Sequence, residues 1–212
     1  MARGRVIALL GAESTGKTAL AQALCDRLNA SRHAPLDESL GDRLDGPGNK
    51  PDPSHGAEHV ITHRRPRCAW VPEWLRLWCE QNGRTPLPHE QEGIAREQIR
   101  RIDEACRTHD WVVADTTAVM TAVYSQWLFQ DHTLMPAALA AQQTYALTLV
   151  TANDVAWEAD GAMRDGPHVR EPVLQSITQA LDRAAIRWSL VEGLGPARLD
   201  SVWRAVEPLV EA

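Results

Sequence analysis

An α/β fold, a five-stranded parallel sheet with helices on both faces, is what the sequence predicts, and three observations predict it. Short apolar runs alternate with longer stretches of helical periodicity, the order that sets parallel strands side by side under crossover helices. A glycine-rich segment, GAESTGKT at residues 11–18, stands between the first apolar run and the first helical stretch. Carboxylates then follow two later apolar runs, at Glu73 and Asp115, on the side where open parallel sheets bind ligands.

The strands are expected at residues 6–10, 68–71, 111–114, 146–151 and 187–191. TALAQALCDRL after the glycine-rich segment reads as the first helix. Ala95, Ile99, Ile102 and Cys106 recur at helical spacing and line one face of a later helix, and Val119, Val123 and Trp127 do the same in the next. Residues 31–66 stand apart, with five of the 13 prolines and four of the eight histidines and little apolar periodicity. They form a flexible insertion, either disordered or a flap that covers substrate.

A chain of 212 residues is expected to make a single domain over residues 1–212. Its net charge of −6 argues against nucleic acid and anionic membranes, which need a concentrated positive field, and leaves a small molecule as the expected partner. Cys25, Cys68, Cys79 and Cys106 are scattered singly with no CxxC pair, the usage of a protein in the reducing cytoplasm. No apolar run has the length of a membrane span, and the VIALL run after Arg3 and Arg5 is too short for a secretory signal. Oligomeric state is not readable, so a homo-oligomer stays open.

Gly11, Gly16, Lys17 and Thr18 match G-x-x-x-x-G-K-[ST] in its strand-to-helix context, the signature of a P-loop NTPase. In such a loop the backbone N–H groups over Gly11, Glu13, Ser14, Thr15, Gly16, Lys17, Thr18 and Ala19 surround the phosphates of ATP, Lys17 adds a point charge, and the Thr18 hydroxyl ligates Mg²⁺. That ion also needs a carboxylate at the end of a buried strand. WVVAD supplies Asp115 there, which serves either as the metal ligand or as the N-cap of a helix starting near Thr117.

DGPGNKPD in the insertion holds a D-x-x-G and an N-K-x-D side by side with no strand before either, which is not the layout of a guanine-nucleotide switch. His55, His59 and His63 share a helical spacing that could hold a metal, but Gly56 and the surrounding residues disfavour a helix, so they read as solvated.

A kinase also needs a group to orient the acceptor hydroxyl and cations to shield the transferred phosphoryl. Glu73 in AWVPEWLR suits the first role, or simply favours a helix N-terminus by its charge. Arg76 lies one turn on, either in the site or solvated, and Arg96 and Arg100 share a face of the following helix. Residues 153–171 combine Trp157, Asp160, Gly161, Arg164 and Arg170 with glycine hinges and read as a lid that brings arginines to the phosphates, or else as an exposed charged loop. Residues 193–198, after the last strand, are a candidate base-contacting loop.

With these residues assembled, the chain resembles the ribosylnicotinamide kinase domain of the bacterial NadR family, a branch of the P-loop kinases, over most of its length outside the insertion. GAESTGKT is similar to that family's phosphate loop, EWLR at Glu73 to its E-Y-x-R, and NGRTPL with IAREQI to its G-R-x-L and I-A-R-x-Q segments. ADTT ending at Thr117 is similar to its D-T-D, and VAWEADGAMR to its W-x-x-D-G-x-R. Thr117 stands where the family has its second acid.

The resemblance implies ATP-dependent phosphorylation of the 5′-hydroxyl of nicotinamide riboside or a related nucleoside, for NAD synthesis or salvage. It implies that Glu73 orients or deprotonates the hydroxyl, that Thr18 and Asp115 hold Mg²⁺, and that Lys17, Arg164 and Arg170 serve the phosphates. Glu73, Trp74, Arg76, Arg96, Trp157 and Asp160 would touch the nucleoside, with Trp74 or Trp157 stacking on a cationic ring. A kinase of another small hydroxyl compound, or a regulatory ATP-binding module with little turnover, remains the alternative.

Overall fold

The alternation of apolar side chains along the first strand decides where the helices must go. In β1 (Arg5–Leu10), Ile7 and Leu9 belong to the core on one side of the sheet, and Val6 and Leu10 to the cores on the other. A strand buried on both faces needs cover on both. The computed structural model describes residues 3–30, 68–158 and 166–211. It adds β2 (Cys68–Val71), β3 (Trp111–Asp115), β4 (Leu147–Thr151) and β5 (Ser189–Val191), all parallel, in the order β2-β3-β1-β4-β5. All five strands lie where the sequence predicts them, the shortest, β5, being a partly exposed edge.

On one face Ile7, Leu9, Val113 and Leu149 pack with Leu20, Leu24 and Leu28 of α1 (Lys17–Ala30) and with Val202 and Val206 of α7 (Gly195–Glu211). Between β2 and β3 run α2 (Trp74–Asn82) and α3 (Gln91–Thr108); between β3 and β4 run α4 (Ala118–Phe129) and α5 (Met135–Gln142); α6 (Arg170–Arg183) precedes β5. On the second face Leu10 and Val150 meet Val119 and Val123 of α4 and Val173, Ile177 and Leu181 of α6, while Val6, Val112 and Ala114 meet Ile102 and Cys106 of α3. Each aliphatic side chain buried in this way contributes about 1.5–3 kcal/mol by leaving water.

The predicted stripe of α3 faces the sheet, with Ala95, Ile102 and Cys106 buried and Ile99 packed against them. The stripe of α4 does not hold to its end: Val119 and Val123 are buried but Trp127 is 42% exposed. From Ala118 to Val123 every residue of α4 is buried, because the helix runs between α3, α5 and α6; its last turn leaves that packing, and the 3.6-residue phase says nothing about where a helix runs out of neighbours.

All four cysteines are free and buried. Beside two of them, Asn29 near the end of α1 fastens the chain to the start of β2: its Nδ2 donates to the Cys68 carbonyl at 3.1 Å and its Oδ1 accepts from the Cys68 N–H at 3.1 Å. The predicted insertion at 31–66, with its D-x-x-G, its N-K-x-D and the three histidines, lies outside the described residues. No described helix is long and apolar enough to cross a membrane.

Candidate active site

β1 ends at Leu10, and the chain must then turn over the end of β4 to enter α1. Gly11 makes the turn with φ 145°, and a Cβ there would stand 2.0 Å from the Thr151 hydroxyl, so only glycine fits. Ser14 (φ 52°) and Gly16 (φ 75°) are also left-handed. Left-handed residues interspersed along a loop curl successive N–H groups toward one side, the form of an anion-binding nest. A strained Ser14 at this point is held by the structure around it: its hydroxyl donates to the Glu158 carbonyl at 3.0 Å.

The loop is braced from below. Thr15, fully buried, donates to the Ala12 carbonyl at 2.8 Å and lies 2.7 Å from the Thr151 hydroxyl, which in turn donates to the Leu10 carbonyl. The Thr15 side chain is therefore a strut inside the loop, and Ala19 is an exposed residue of the first turn of α1.

Lys17 opens α1, and its ammonium donates to the Ala12 carbonyl at 2.7 Å, across the loop. Burial holds its pKa below the usual lysine range, opposed by the carboxylates of Glu73, Asp115 and Glu13. Asp115 ends β3, is 1% exposed, and shares a hydrogen bond with the Thr18 side chain. Burial pushes its pKa above the ordinary aspartate value, against the pull of the Thr18 hydroxyl, Lys17 and Arg76. Its Oδ1 is buried without a hydrogen-bond partner among the described residues.

Asp115 is not the cap of α4. That position belongs to Thr117, whose hydroxyl oxygen accepts from the Val119 N–H at 3.3 Å and whose hydroxyl donates to Gln142 Oε1 at 2.7 Å. The left-handed Thr116 (φ 67°) turns the chain between the two residues, which separates the carboxylate from the helix it precedes.

Glu73 occupies the N-cap position of α2 without a side-chain cap bond and lies 3.9 Å from Arg76 Nε. With Glu13, Ser14, Lys17 and Arg76 it lines a cavity of about 590 Å³. The cavity also has apolar lining residues that no local pattern in the sequence marks: Leu75, Leu87, Met120, Tyr124, Leu128 and Phe129. These come from α2, from the segment before α3 and from α4, and no local spacing relates them.

Two residues expected at the nucleoside are engaged elsewhere. The Trp74 ring lies under the Arg101 guanidinium, whose carbon is 3.9 Å from the ring centroid, and the Trp74 backbone N–H donates to Gln98 Oε1 at 2.7 Å. Arg96 pairs with Glu92 on an exposed face, as Arg100 does with Glu97 and Glu104. Because Ala95 and Ile99 face the core, their neighbours Arg96 and Arg100 are turned about 100° to solvent.

On the other flank, the described start of the expected lid leaves β4 through Ala152, Asn153 and Asp154 to Glu158, which meets Ser14. Trp157 is half-buried with Nε1 lacking a partner among the described residues. Asp160 and Arg164 lie outside the described residues. Arg170, the first residue of α6, is 7% exposed; its Nε and Nη2 are buried with no partner among the described residues, and burial lowers its pKa.

Arg198, in the segment expected to contact a base, is instead an internal tie. Nη1 donates to Asp154 Oδ1 and to the Gly193 carbonyl, each at 2.9 Å, and Nη2 to the carbonyls of Ala152 and Val191, each at 3.4 Å. Asp154 Oδ2 accepts from the Gly193 N–H at 2.6 Å. Among the described residues no cluster of three or more His, Cys, Asp or Glu is built to hold a metal by itself. The orphaned Asp115 Oδ1 beside Thr18 is the donor set that fits a divalent ion shared with phosphate oxygens.

Comparison with known proteins agrees with this geometry at the level of fold. A family model described as an AAA domain, AAA_28, matches residues 58–198, a span that starts after the phosphate loop. No curated protein matches the sequence. The chain is similar to the crystal structure of NadR protein in complex with NR (TM-score 0.69, 15% identity, covering 99% of this chain and 52% of that one). It is similar to NadR in complex with NAD and AMP-PNP (0.66, 14%, 99% and 50%), and to thymidylate kinase from Candida albicans (0.57, 13%, 98% and 92%). The chain thus spans about half the length of the NadR chains it matches.

Proposed function

The chain belongs to the AAA domain family (AAA_28) and has the fold of P-loop kinases, and from that premise we propose that it transfers the γ-phosphoryl group of ATP to the 5′-hydroxyl of a nucleoside, nicotinamide riboside first among them. The observation that carries this reading is convergence: a phosphate loop, its lysine and a strand-end glutamate open onto one cavity, with Asp115 acting on that lysine from the next strand. A hydrolase needs no such acceptor chamber.

In this reading the loop amides and the Lys17 ammonium hold the β- and γ-phosphates, and charge that develops on the phosphoryl oxygens meets groups already in place. Thr18 and Asp115 would hold Mg²⁺, which neutralises phosphate charge when bound. Glu73 accepts the proton of the acceptor hydroxyl, with the Arg76 guanidinium beside its carboxylate. By the resemblance, Arg170 and Arg164 would serve the phosphates, and Trp157 and Asp160 would contact the nucleoside.

The test is ADP release from Mg-ATP against a panel of ribosides, nicotinamide riboside included, with products identified by mass. Turnover that depends on a riboside is the expected result; silence across the panel refutes the nucleoside-kinase reading and leaves a kinase of another small hydroxyl compound or a nucleotide-binding module. Glu73→Gln should lower kcat by about 100-fold or more while the protein stays folded, and near-normal turnover would remove Glu73 from its role.

A further inference from the structure

The structure buries three glutamines, and it treats one of them differently. Gln98 accepts from the Trp74 N–H and donates toward the Thr116 carbonyl at 3.4 Å. Gln142 accepts from Thr117 and donates to the Thr148 hydroxyl at 2.9 Å. Both are structural cross-ties with carbonyl and amide engaged. Gln91, at the start of α3, is 2% exposed, and its Oε1 is buried with no hydrogen-bond partner among the described residues. It lines the same cavity as Lys17 and Glu73.

A buried acceptor without a donor is costly, and native structures keep few of them. A glutamine is also a poor choice for filling space, since leucine would fill it without that penalty. The same cavity is lined by the apolar Leu87, Met120, Leu128 and Phe129, with Glu80 and Thr85 among its polar groups. A buried carbonyl at such a cavity discriminates strongly, because a ligand that lacks the matching donor leaves it unpaired.

We propose that Gln91 is a specificity residue of the acceptor site, its side-chain carbonyl accepting a hydrogen bond from an N–H or O–H group of the acceptor other than the hydroxyl that is phosphorylated. The proposal rests on the kinase reading above and names a contact within it. On nicotinamide riboside the donor is either the carboxamide N–H or a ribose hydroxyl.

The experiment compares the full-length chain with its Gln91→Leu, Gln91→Asn and Gln91→Glu variants. It measures KM for nicotinamide riboside, for nicotinic acid riboside (no carboxamide N–H) and for 2′- and 3′-deoxy analogues, together with KM for ATP and thermal unfolding without ligand. Gln91→Leu and Gln91→Asn should raise KM for the full acceptor roughly tenfold or more, with ATP KM and kcat little changed, and Gln91→Glu, which keeps an acceptor oxygen, should restore most of the loss. For the analogue missing the relevant donor, wild type and Gln91→Leu should converge, which identifies the donor.

Removing an orphaned carbonyl should also leave Gln91→Leu as stable as wild type or more so, an outcome a structural role would not give. Unchanged acceptor KM in Gln91→Leu and Gln91→Asn, or a loss of stability that shifts acceptor and ATP KM together, overturns the proposal and leaves the kinase reading intact. Wild-type protein that turns over no riboside overturns both.

Discussion

The starts of α6 and α7 each bury an arginine near Asp154, and the two guanidinium groups are held in opposite ways. Arg198 directs both Nη atoms to acceptors, one carboxylate oxygen and three carbonyls, and so ties the loop after β4 to the loop after β5. Both leave Nε buried without a partner among the described residues, but Arg170 leaves Nη2 so as well, while Asp154 attracts it and Arg198 repels it. Burial alone therefore does not separate structural from functional polar groups. Satisfaction of the Nη atoms does: a buried cation whose Nη atoms meet acceptors of the chain belongs to the scaffold, and one with a buried Nη unmatched among the described residues points to an anion from elsewhere.

The contrast is sharpest at a third cation. Lys17 has one acceptor, a carbonyl of its own loop, and if it exchanges that bond for phosphate oxygens it belongs with Arg170. Lys17→Ala should then lower kcat by about 3–4 kcal/mol in barrier, several hundredfold, with unfolding little affected; unchanged kcat would put it with Arg198. Arg198→Leu should cost about 3 kcal/mol of stability, because Asp154 and the backbone of both loops lose their tie, seen as a fall of roughly 6–12 °C in melting temperature. A melting temperature that does not move would dissolve the distinction. Arg170→Met should do the reverse, lowering turnover about 100-fold while the melting temperature holds or rises.

The smallest expected effect is on Asp115, and it depends on pH. Burial raises its pKa in the folded protein above the unfolded value, so as pH rises the unfolded chain gives up the proton first. The stability this group contributes therefore declines from the unfolded carboxylate range upward through the folded pKa. Asp115→Asn removes the decline: without nucleotide it should be about 1 kcal/mol more stable near neutral pH, with a smaller gain in acid, and Mg-ATP should stabilise it less than wild type. A gain that grew toward acid would contradict the raised pKa.

What the sequence made legible is what lies close along the chain. The strands are continuous apolar runs, the phosphate loop is eight consecutive residues, and Glu73 and Asp115 stand at or just past strand ends, so topology alone carries them to one edge of the sheet. Trp74, Arg96 and Trp127 were misplaced because their positions depend on the rotational phase of a helix against its neighbours and on where that packing stops. The Arg198–Asp154 tie and the apolar lining with Gln91 join residues far apart in sequence, and no local pattern marks such pairs. Thr117 shows the same limit in one residue: it reads as a lost acid, and in the fold it is a helix cap held by Gln142.

Asn29 and Cys68 hold each other by two hydrogen bonds from one side chain to one backbone, so the polypeptide leaves α1 and enters β2 through a single doorway. The free energy of closing a loop grows only with the logarithm of its length, about 0.6 kcal/mol per doubling. With the doorway fixed by the bridge itself, the start of β2 is held to the end of α1 whatever the separation of the two along the chain. The doorway is a clasp, and the placement of the sheet's edge strand rests on one asparagine side chain.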